Sequence, residues 1–176
     1  MTPLPKDISA LLTALAAPPR LIAHLMLVHD VAWHMTHMLT HAFPHLSIDR
    51  EAVLYGAAVH DIGKTAVPSE LSAPGTRHEQ AGYQLLCENG KPHLAHFARD
   101  HANWIIHDQL ELLLVSLADK IWKGKRIPEL EAKALEKILE NGESERWASF
   151  LALDEILEQL AATADERLTY QSSYPL

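Results

Sequence analysis

The sequence predicts an all-α fold formed by a single domain. Apolar residues recur at the three- and four-residue spacing of amphipathic helices along most of the chain. The sequence lacks convincing strand-like alternation and has few runs of β-branched residues. With 176 residues, of which 48% are hydrophobic and 22% are charged, the chain has the size and composition of one globular domain with a substantial core.

The first four helices are bounded by prolines, acidic residues and glycine. The Pro18-Pro19 pair ends the first helix, and Pro44 limits the second from its C-terminal side. Asp49 suits the first turn of the third helix, and the spacing between Thr76 and Glu79 predicts a capping box for the fourth. The predicted helices cover residues 7–17, 20–42, 49–62 and 76–89, with a loop at 63–75.

The other four helices are bounded by similar signals. Pro92 suits the first turn of the fifth helix, Gly124 ends the sixth, and Pro128 opens the seventh. The sixth helix is apolar on most of its sides and is expected to be the buried central helix. These helices are predicted at residues 92–106, 109–123, 128–142 and 144–168. Residues 127–170 thus form a C-terminal helical extension, which carries no obvious chemistry.

Charge and cysteine content restrict the partners and the compartment of the protein. The formal net charge is −8 at pH 7, which disfavours long nucleic acid because a phosphate backbone needs a basic surface. Cys87 is the only cysteine, so an internal disulfide is impossible and a reducing cytoplasm is expected. The sequence predicts no membrane span and no signal peptide. A homodimer formed through the last two helices is a further hypothesis.

Helical phase indicates which of the 12 histidines point into the core. At about 100° per residue, His24 lies in the middle of the apolar stripe of the second helix, whereas His29 lies toward the far side. His24 is therefore the better candidate for a metal ligand, and His29 is the alternative. His101 is centred among apolar residues of the fifth helix. His78 lies one turn before Gly82, a glycine that lets another segment approach closely.

Two aspartates and one further histidine complete the set of candidate metal ligands. His60 and Asp61 flank the end of the third helix, where Gly63 fits the left-handed residue that ends a helix. Asp119 shares an apolar face of the sixth helix, and a buried carboxylate is costly unless it is paired or binds a metal. A salt bridge from Asp119 to a buried lysine or arginine is the alternative explanation.

The candidate ligands are imidazoles and carboxylates, without a thiolate. This chemistry suits catalytic iron, manganese, cobalt, nickel or magnesium better than structural zinc. Six protein ligands exceed what one catalytic ion accepts while leaving a position for water, so we expect two divalent ions bridged by Asp61. The predicted ligands lie within a metal-binding core at about 20–126 and are His24, His60, Asp61, His78, His101 and Asp119.

The order of these residues resembles the HD superfamily of metal-dependent phosphohydrolases over residues 20–126. The resemblance rests on the helix of His24, the HDIG-type signature GAAVHDIGK at 56–64, the later histidines His78 and His101, and Leu-Ala-Asp-Lys at 117–120. The stretch at 78–126 is similar to bacterial HD-type diadenosine-tetraphosphate hydrolases. The loop at 68–75 is similar to that of HD-GYP cyclic-dinucleotide phosphodiesterases, although the motif that names that group is absent.

The resemblance implies a two-metal hydrolase that acts on a small, nucleotide-like phosphate. A metal-activated hydroxide would attack phosphorus in a phosphomonoester, phosphodiester or phosphoanhydride, with Asp61 bridging the ions. Lys64 would neutralise charge that develops on the phosphate oxygens and is, with Asp61, an expected catalytic residue. Lys64, Lys120 and Arg126 are the expected substrate-binding residues, Arg126 because its planar guanidinium binds phosphate in a bidentate manner.

Two other functions are compatible with the same residues. Some proteins with the HD fold use this ligand set with mixed-valence di-iron to activate oxygen, and the sequence does not separate such an oxygenase from a hydrolase. A requirement for oxygen and for iron distinguishes the oxygenase. A non-catalytic regulatory module with a degenerate site is disfavoured because every expected ligand is present.

Overall fold

The computed structural model describes residues 1–140 and 145–175, and every regular element within these ranges is helical. The predicted all-α fold is therefore confirmed. The predicted end of the seventh helix, Asn141-Gly142, and the predicted start of the last at Ser144 lie outside the described residues. None of the described helices combines the length and the apolarity needed to cross a membrane. The described part of the chain contains nine α-helices: α1 (Lys6–Ala14), α2 (Pro19–Ala42), α3 (Arg50–Val59), α4 (Arg77–Glu88), α5 (Ala95–Asp100), α6 (Leu110–Ile121), α7 (Pro128–Glu140), α8 (Arg146–Ala161) and α9 (Ala164–Ser172).

Helices α2, α3 and α6 pack against one another at the centre of the bundle. Every residue of α6 from Leu112 to Asp119 is buried. This confirms that α6 is the central helix, because only a helix covered on all sides buries consecutive residues. Each leucine buried there contributes about 1.5–3 kcal/mol of hydrophobic stabilisation. The buried stretch of α6 from Leu112 to Asp119 is therefore a strongly apolar setting for its single carboxylate, that of Asp119.

Helix α3 ends directly before the His60-Asp61 pair. Asp49 is its N-cap, and the Asp49 carboxylate accepts the Ala52 N–H at 2.9 Å, as expected of an acidic helix start. The prediction that this helix reaches residue 62 is wrong, because Asp61 leaves the helical path and a 3-10 turn follows at Ile62–Thr65. His60 and Asp61 therefore lie at the junction of two elements.

Gly63 has a different structural role from the predicted one, which was to end α3 in the left-handed conformation. Among the described residues, the left-handed glycines are Gly90 and Gly124, which follow α4 and α6 as expected, and Gly63 is not one of them. A Cβ atom on Gly63 would lie 1.9 Å from the His78 carbonyl oxygen and 2.4 Å from the Gly82 nitrogen. Gly63 is therefore needed for close approach between the turn after α3 and the backbone of α4. The predicted close approach at Gly82 is the other half of the same contact.

The capping box predicted at the start of α4 is not formed. The Thr76 side chain makes no capping hydrogen bond. Instead the Glu70 carboxylate, in the loop before α4, accepts the backbone N–H groups of Arg77 and His78, each at 3.1 Å. A carboxylate at this end of a helix also complements the helix dipole. Glu79 is thereby free of its predicted capping role.

The predicted fifth helix, at 92–106, is divided into three pieces. A 3-10 turn at Pro92–Leu94 precedes α5, and α5 ends at Asp100 rather than at residue 106. The Asn103 N–H bonds to the Asp100 carbonyl at 2.9 Å, which closes a turn where the helix would continue. The Ser116 hydroxyl of α6 donates to the His101 carbonyl at 2.8 Å. His101 therefore lies just after the last turn of α5, fixed to the central helix.

The last predicted helix, at 144–168, is two helices. The chain leaves α8 at Ala161 and enters α9 at Ala164. Arg167 stabilises this corner because its guanidinium donates to the Leu160 carbonyl at 2.6 Å and to Thr163 Oγ1 at 2.7 Å. A carbonyl at the end of α8 is thus satisfied by a side chain instead of by further helix.

Replacing Gly63 with alanine is expected to destabilise the protein by about 3 kcal/mol or more, because the added methyl group overlaps backbone atoms of α4. Thermal and denaturant unfolding, followed by circular dichroism, measure the loss. Gly90→Ala is the comparison. Its Cβ position is open, so only the strain of its φ of 71° applies, which costs about 1–2 kcal/mol. Equal losses in the two variants would show that Gly63 is not required for close packing.

Candidate metal centre

The six predicted ligand residues converge beside the C-terminal end of α3. All six are buried, and none exposes more than 7% of its surface. The burial of His24, His101 and Asp119 agrees with the inward orientation that helical phase predicts for them. They come from five segments: His24 from α2, His60 and Asp61 from the end of α3, His78 from α4, His101 from the end of α5 and Asp119 from α6.

Asp61 lies at the centre of the cluster. Its Oδ2 is 3.1 Å from His24 Nε2 and 3.7 Å from His60 Nε2. Its Oδ1 is 3.1 Å from His78 Nε2 and 3.7 Å from His101 Nε2. The two carboxylate oxygens thus face different pairs of imidazoles. Asp61 belongs to two groups of three potential ligands, and within each group the ligand atoms lie within 4.8 Å of one another.

Asp119 joins the same cluster from the opposite helix. Its Oδ1 lies 3.5 Å from His60 Nε2 and 3.8 Å from His24 Nε2. Its Oδ2 accepts a hydrogen bond from Lys120 Nζ at 2.6 Å. Asp119 therefore lies beside the histidines, where a metal ligand is expected, and it is also paired with a lysine, although that lysine is part exposed and not buried.

The outer nitrogens of three imidazoles are held by hydrogen bonds. His60 Nδ1 lies 2.9 Å from the Ala57 carbonyl oxygen, and His101 Nδ1 lies 3.2 Å from two carbonyl oxygens of α5. His78 Nδ1 lies 2.6 Å from Glu70 Oε2. These acceptors place a proton on each Nδ1 atom and leave the Nε2 atoms facing the carboxylates of Asp61 and Asp119.

The donor set fits divalent metal ions. His24 Nε2 and His60 Nε2 are only 3.2 Å apart, so the two nitrogens are close enough to share a proton in a hydrogen bond or to face one cation. The other nitrogen of His24, Nδ1, is buried without a hydrogen-bond partner among the described residues. Nitrogen and carboxylate oxygen ligands in one buried cluster are typical of sites for first-row transition metals and, through the oxygens, for magnesium.

Burial sets the protonation of this cluster. It lowers the pKa of His24, and it lowers the pKa of His101 to about 4, so both are neutral near pH 7 and able to bind metal. Burial opposes the ionisation of Asp61 and Asp119. Hydrogen bonds and positive charge from the histidines, His60 above all, outweigh that effect and hold the pKa of both carboxyl groups well below their usual range.

A cavity of about 360 Å³ opens beside the cluster. All of the predicted ligands except the fully buried His60 line it. Lys64 and Lys120 also line it, and Lys64 Nζ lies 2.5 Å from Asp61 Oδ2. A larger cavity of about 680 Å³, between α1, α3 and α6, contains none of the predicted site residues. Other polar residues around the smaller cavity are Arg20, Thr76, Glu79, Lys123 and Gln171.

The family model of the HD domain matches residues 21–122, more than half of the chain. The chain belongs to the HD domain family. Proteins with this domain are typically metal-dependent hydrolases, and the buried His/Asp cluster of this chain is able to hold metal. The membership inferred from the motifs is therefore confirmed. Searches of curated proteins and of solved structures gave no match.

Arg126 lies just beyond the matched HD segment, and its surroundings contradict the predicted role in phosphate binding. Its guanidinium makes a bidentate ion pair with Glu131 at 2.8 and 2.9 Å. It also donates to Asp154 at 2.6 Å and to Glu158 at 3.2 Å. Arg126 does not line the cavity. Its donors are committed to three carboxylates, which would also repel a phosphate, so Arg126 instead joins α7 to α8.

His29 is buried but lies apart from the HD cluster. Neither group of potential metal ligands includes it. It is 3% exposed, and burial lowers its pKa. The N-terminal segment covers this side of α2, where Asp30 accepts the Thr2 N–H at 2.5 Å. The far side of α2 is therefore covered by chain instead of facing solvent.

Glu70 is a candidate functional residue that the sequence analysis missed. Its carboxylate holds His78 Nδ1 at 2.6 Å and also caps α4, so it fixes both the imidazole and the helix that carries it. Burial lowers the pKa of His78, but Asp61 and Glu70 outweigh burial and raise it. The available signals were its acidic side chain in the loop before α4 and the similarity of the loop at 68–75 to that of HD-GYP phosphodiesterases, because helical phase does not predict contacts made by a loop.

Replacing His24 with alanine is expected to remove bound metal, because His24 faces both Asp61 and Asp119. His29→Ala is the control, and it is expected to retain the wild-type metal content while losing stability as a buried substitution. Metal per chain, measured by mass spectrometry after purification in manganese or iron, tests the pair. Loss of metal in His29→Ala alone would reverse the assignment of the two residues.

Replacing Glu70 with glutamine is expected to weaken metal affinity by about 10–100-fold, because the amide no longer orients His78 as a carboxylate does. The single glutamine oxygen still accepts one of the two backbone N–H groups of α4, so the fold is retained. Competition with a fluorescent chelator measures the affinity. Glu51→Gln, the same change at the exposed start of α3, is the control and leaves the affinity unchanged.

Proposed function

We propose that the protein is a metal-dependent phosphohydrolase that cleaves an ester or anhydride of a small, nucleotide-like phosphate. The single observation that carries the proposal is the position of Asp61, whose two oxygens face two separate groups of histidines. That arrangement suits a bridging carboxylate between two ions. Lysine side chains beside the same carboxylates make the cavity suitable for an anion.

The residues divide naturally between two ions. His24, His60 and Asp119 would hold one ion, His78 and His101 would hold the other, and Asp61 would be shared. Divalent ions supply Lewis acidity at such a site, because they lower the pKa of a bound water and polarise a phosphoryl oxygen. Iron, manganese, cobalt, nickel and magnesium all accept this ligand chemistry.

Two lysines serve the substrate in this proposal. Lys64 lies 2.5 Å from Asp61 and Lys120 lies 2.6 Å from Asp119, so both ammonium groups border the place where the phosphoryl group would lie. They would stabilise negative charge that develops on phosphoryl oxygens during attack. Each lysine is part exposed, which lets its head group leave the carboxylate and follow the substrate.

The size and charge of the cavity support a small phosphorylated substrate. About 360 Å³ is within the range of small-molecule sites and is too confined for a duplex. The HDIG-type signature and the similarity of the stretch at 78–126 to HD-type diadenosine-tetraphosphate hydrolases make nucleoside phosphates and dinucleoside polyphosphates the first compounds to test.

The test is phosphate release under anaerobic conditions from mononucleotides, cyclic nucleotides, dinucleoside polyphosphates and an aryl phosphate. Protein stripped of metal is expected to be inactive, and manganese, iron(II), cobalt, nickel or magnesium is expected to restore turnover. Asp61→Asn and Asp119→Asn are expected to lose about 100-fold or more of the rate. Lys64→Ala is expected to keep its metal and lose about 100-fold, because Lys64 acts on the substrate and does not bind metal.

The control for these variants is Lys137→Ala, a lysine of α7 that lies outside the cavity and should leave turnover unchanged. Metal-loaded protein that releases no phosphate, and that consumes oxygen only with iron, would instead identify a di-iron oxygenase. Metal-loaded protein that does neither would favour a regulatory module.

A further inference from the structure

Helix α9 lies outside the segment matched by the HD family and nevertheless borders the metal cavity. Gln171, in its last turn, is one of the residues that line the cavity. The side chain is half-buried, and its amide has no hydrogen-bond partner among the described residues. The C-terminal extension was expected to carry no chemistry, so this contact needs an explanation.

Helix α9 is fixed to the helix that carries Asp119. The Arg167 guanidinium donates to the Trp122 carbonyl at 2.6 Å and to the Ile121 carbonyl at 3.0 Å, which are both at the C-terminal end of α6. These bonds satisfy carbonyl groups that α6 leaves without a helical partner. Arg167 therefore acts as the cap of α6, and Gln171 follows one turn later on the same helix.

Two further contacts hold the ends of this segment. A Cβ atom on Gly124 would lie 3.0 Å from Ala164 Cβ, so the glycine that ends α6 lets the start of α9 come close. Beyond the other end of α9, the Pro175 carbonyl accepts the Arg20 N–H at 3.1 Å at the start of α2. Arg20 itself lines the cavity. The position of Gln171 is thus defined from both sides.

The same wall continues to the metal ligands. The Trp122 ring lies edge-on to His24, with ring centroids 4.9 Å apart and an interplanar angle of 70°. Trp122 also lines the cavity. A chain of contacts therefore runs from Arg167 through Trp122 to His24, which places Gln171 on the wall of the site and not at a remote surface.

The chemistry of Gln171 differs from that of the rest of the polar lining. The other polar side chains there are charged groups, histidines and Thr76. Charged groups suit the phosphoryl end of a substrate, whereas a primary amide offers a donor and an acceptor side by side. Such a pair matches a neutral donor–acceptor edge, and Trp122 adds apolar surface to the same wall.

We propose that Gln171 is a specificity-determining residue, which binds a neutral donor–acceptor edge on the part of the substrate beyond the phosphoryl group. A nucleobase edge and a pair of sugar hydroxyl groups share this chemistry. This assignment extends the proposed phosphohydrolase function and depends on it, because that function makes the bound molecule a substrate. Helix α9, which lies outside the matched HD segment, would then form part of the substrate-binding site.

The test measures the affinity of manganese-loaded protein for three probes: inorganic phosphate, ribose 5-phosphate and adenosine 5′-monophosphate. In Gln171→Ala, the dissociation constant of the probe that carries the edge is expected to rise about 10-fold relative to that of phosphate, which corresponds to the loss of one good hydrogen bond. A rise for both organic probes assigns the edge to the sugar. A rise for adenosine 5′-monophosphate alone assigns it to the base.

The matched control is Gln159→Ala, the same change at an exposed position of α8, where the amide donates a hydrogen bond to Glu155. It should preserve the ratios of the wild-type protein. Unchanged ratios in Gln171→Ala, or an equal loss for all three probes, would overturn the proposal, since a merely structural role weakens every ligand alike. Binding that discriminates without phosphate release would instead count against the proposed hydrolase and leave the role of Gln171 intact.

Discussion

The buried charge of Asp61 is the constraint on which the rest of the structure depends. Its carboxylate is 3% exposed and ionised, and an uncompensated charge in such a place costs several kcal/mol. The adjacent His60 supplies part of the compensation, with its Nε2 3.7 Å from Asp61 Oδ2. The rest comes from the ends and faces of other elements. Lys64 approaches from the following turn, and the imidazoles arrive from α2, α4 and α5.

The need to bring these groups within reach of Asp61 explains the positions of three glycines, Gly56, Gly63 and Gly82. His78 reaches Asp61 only if the backbone of α4 touches the turn after α3, and Gly63 and Gly82 face each other at that contact. The same reasoning applies to Gly56, whose Cβ position lies 2.7 Å from the Phe97 ring. That contact lets α5 lie directly on α3 and deliver the histidine at its end.

The sequence predicted the helical class and the central helix because each depends on a 3.6-residue period, and the same period indicated that His24, His101 and Asp119 point inward. That period distinguished His24 from His29 although both prove to be buried. Contacts made between loops or across long separations carry no such period. Glu70 acts from a loop, and the guanidinium of Arg126 is held by Asp154, 28 residues away. The corner between α8 and α9 likewise depends on a side chain that bonds across the break.

The arrangement of charge couples metal binding to anion binding. Lys64 is paired with Asp61 and Lys120 with Asp119, so these four charges cancel. With divalent ions bound to the carboxylates, both lysines would be free to bind an anion. Arg20 also lines the cavity. The metal-loaded site would therefore be strongly positive within a protein of net charge −8. The acidic surface would repel large polyanions, while the metal-loaded cavity would attract a small one, and this contrast would favour small anions over large ones on electrostatic grounds.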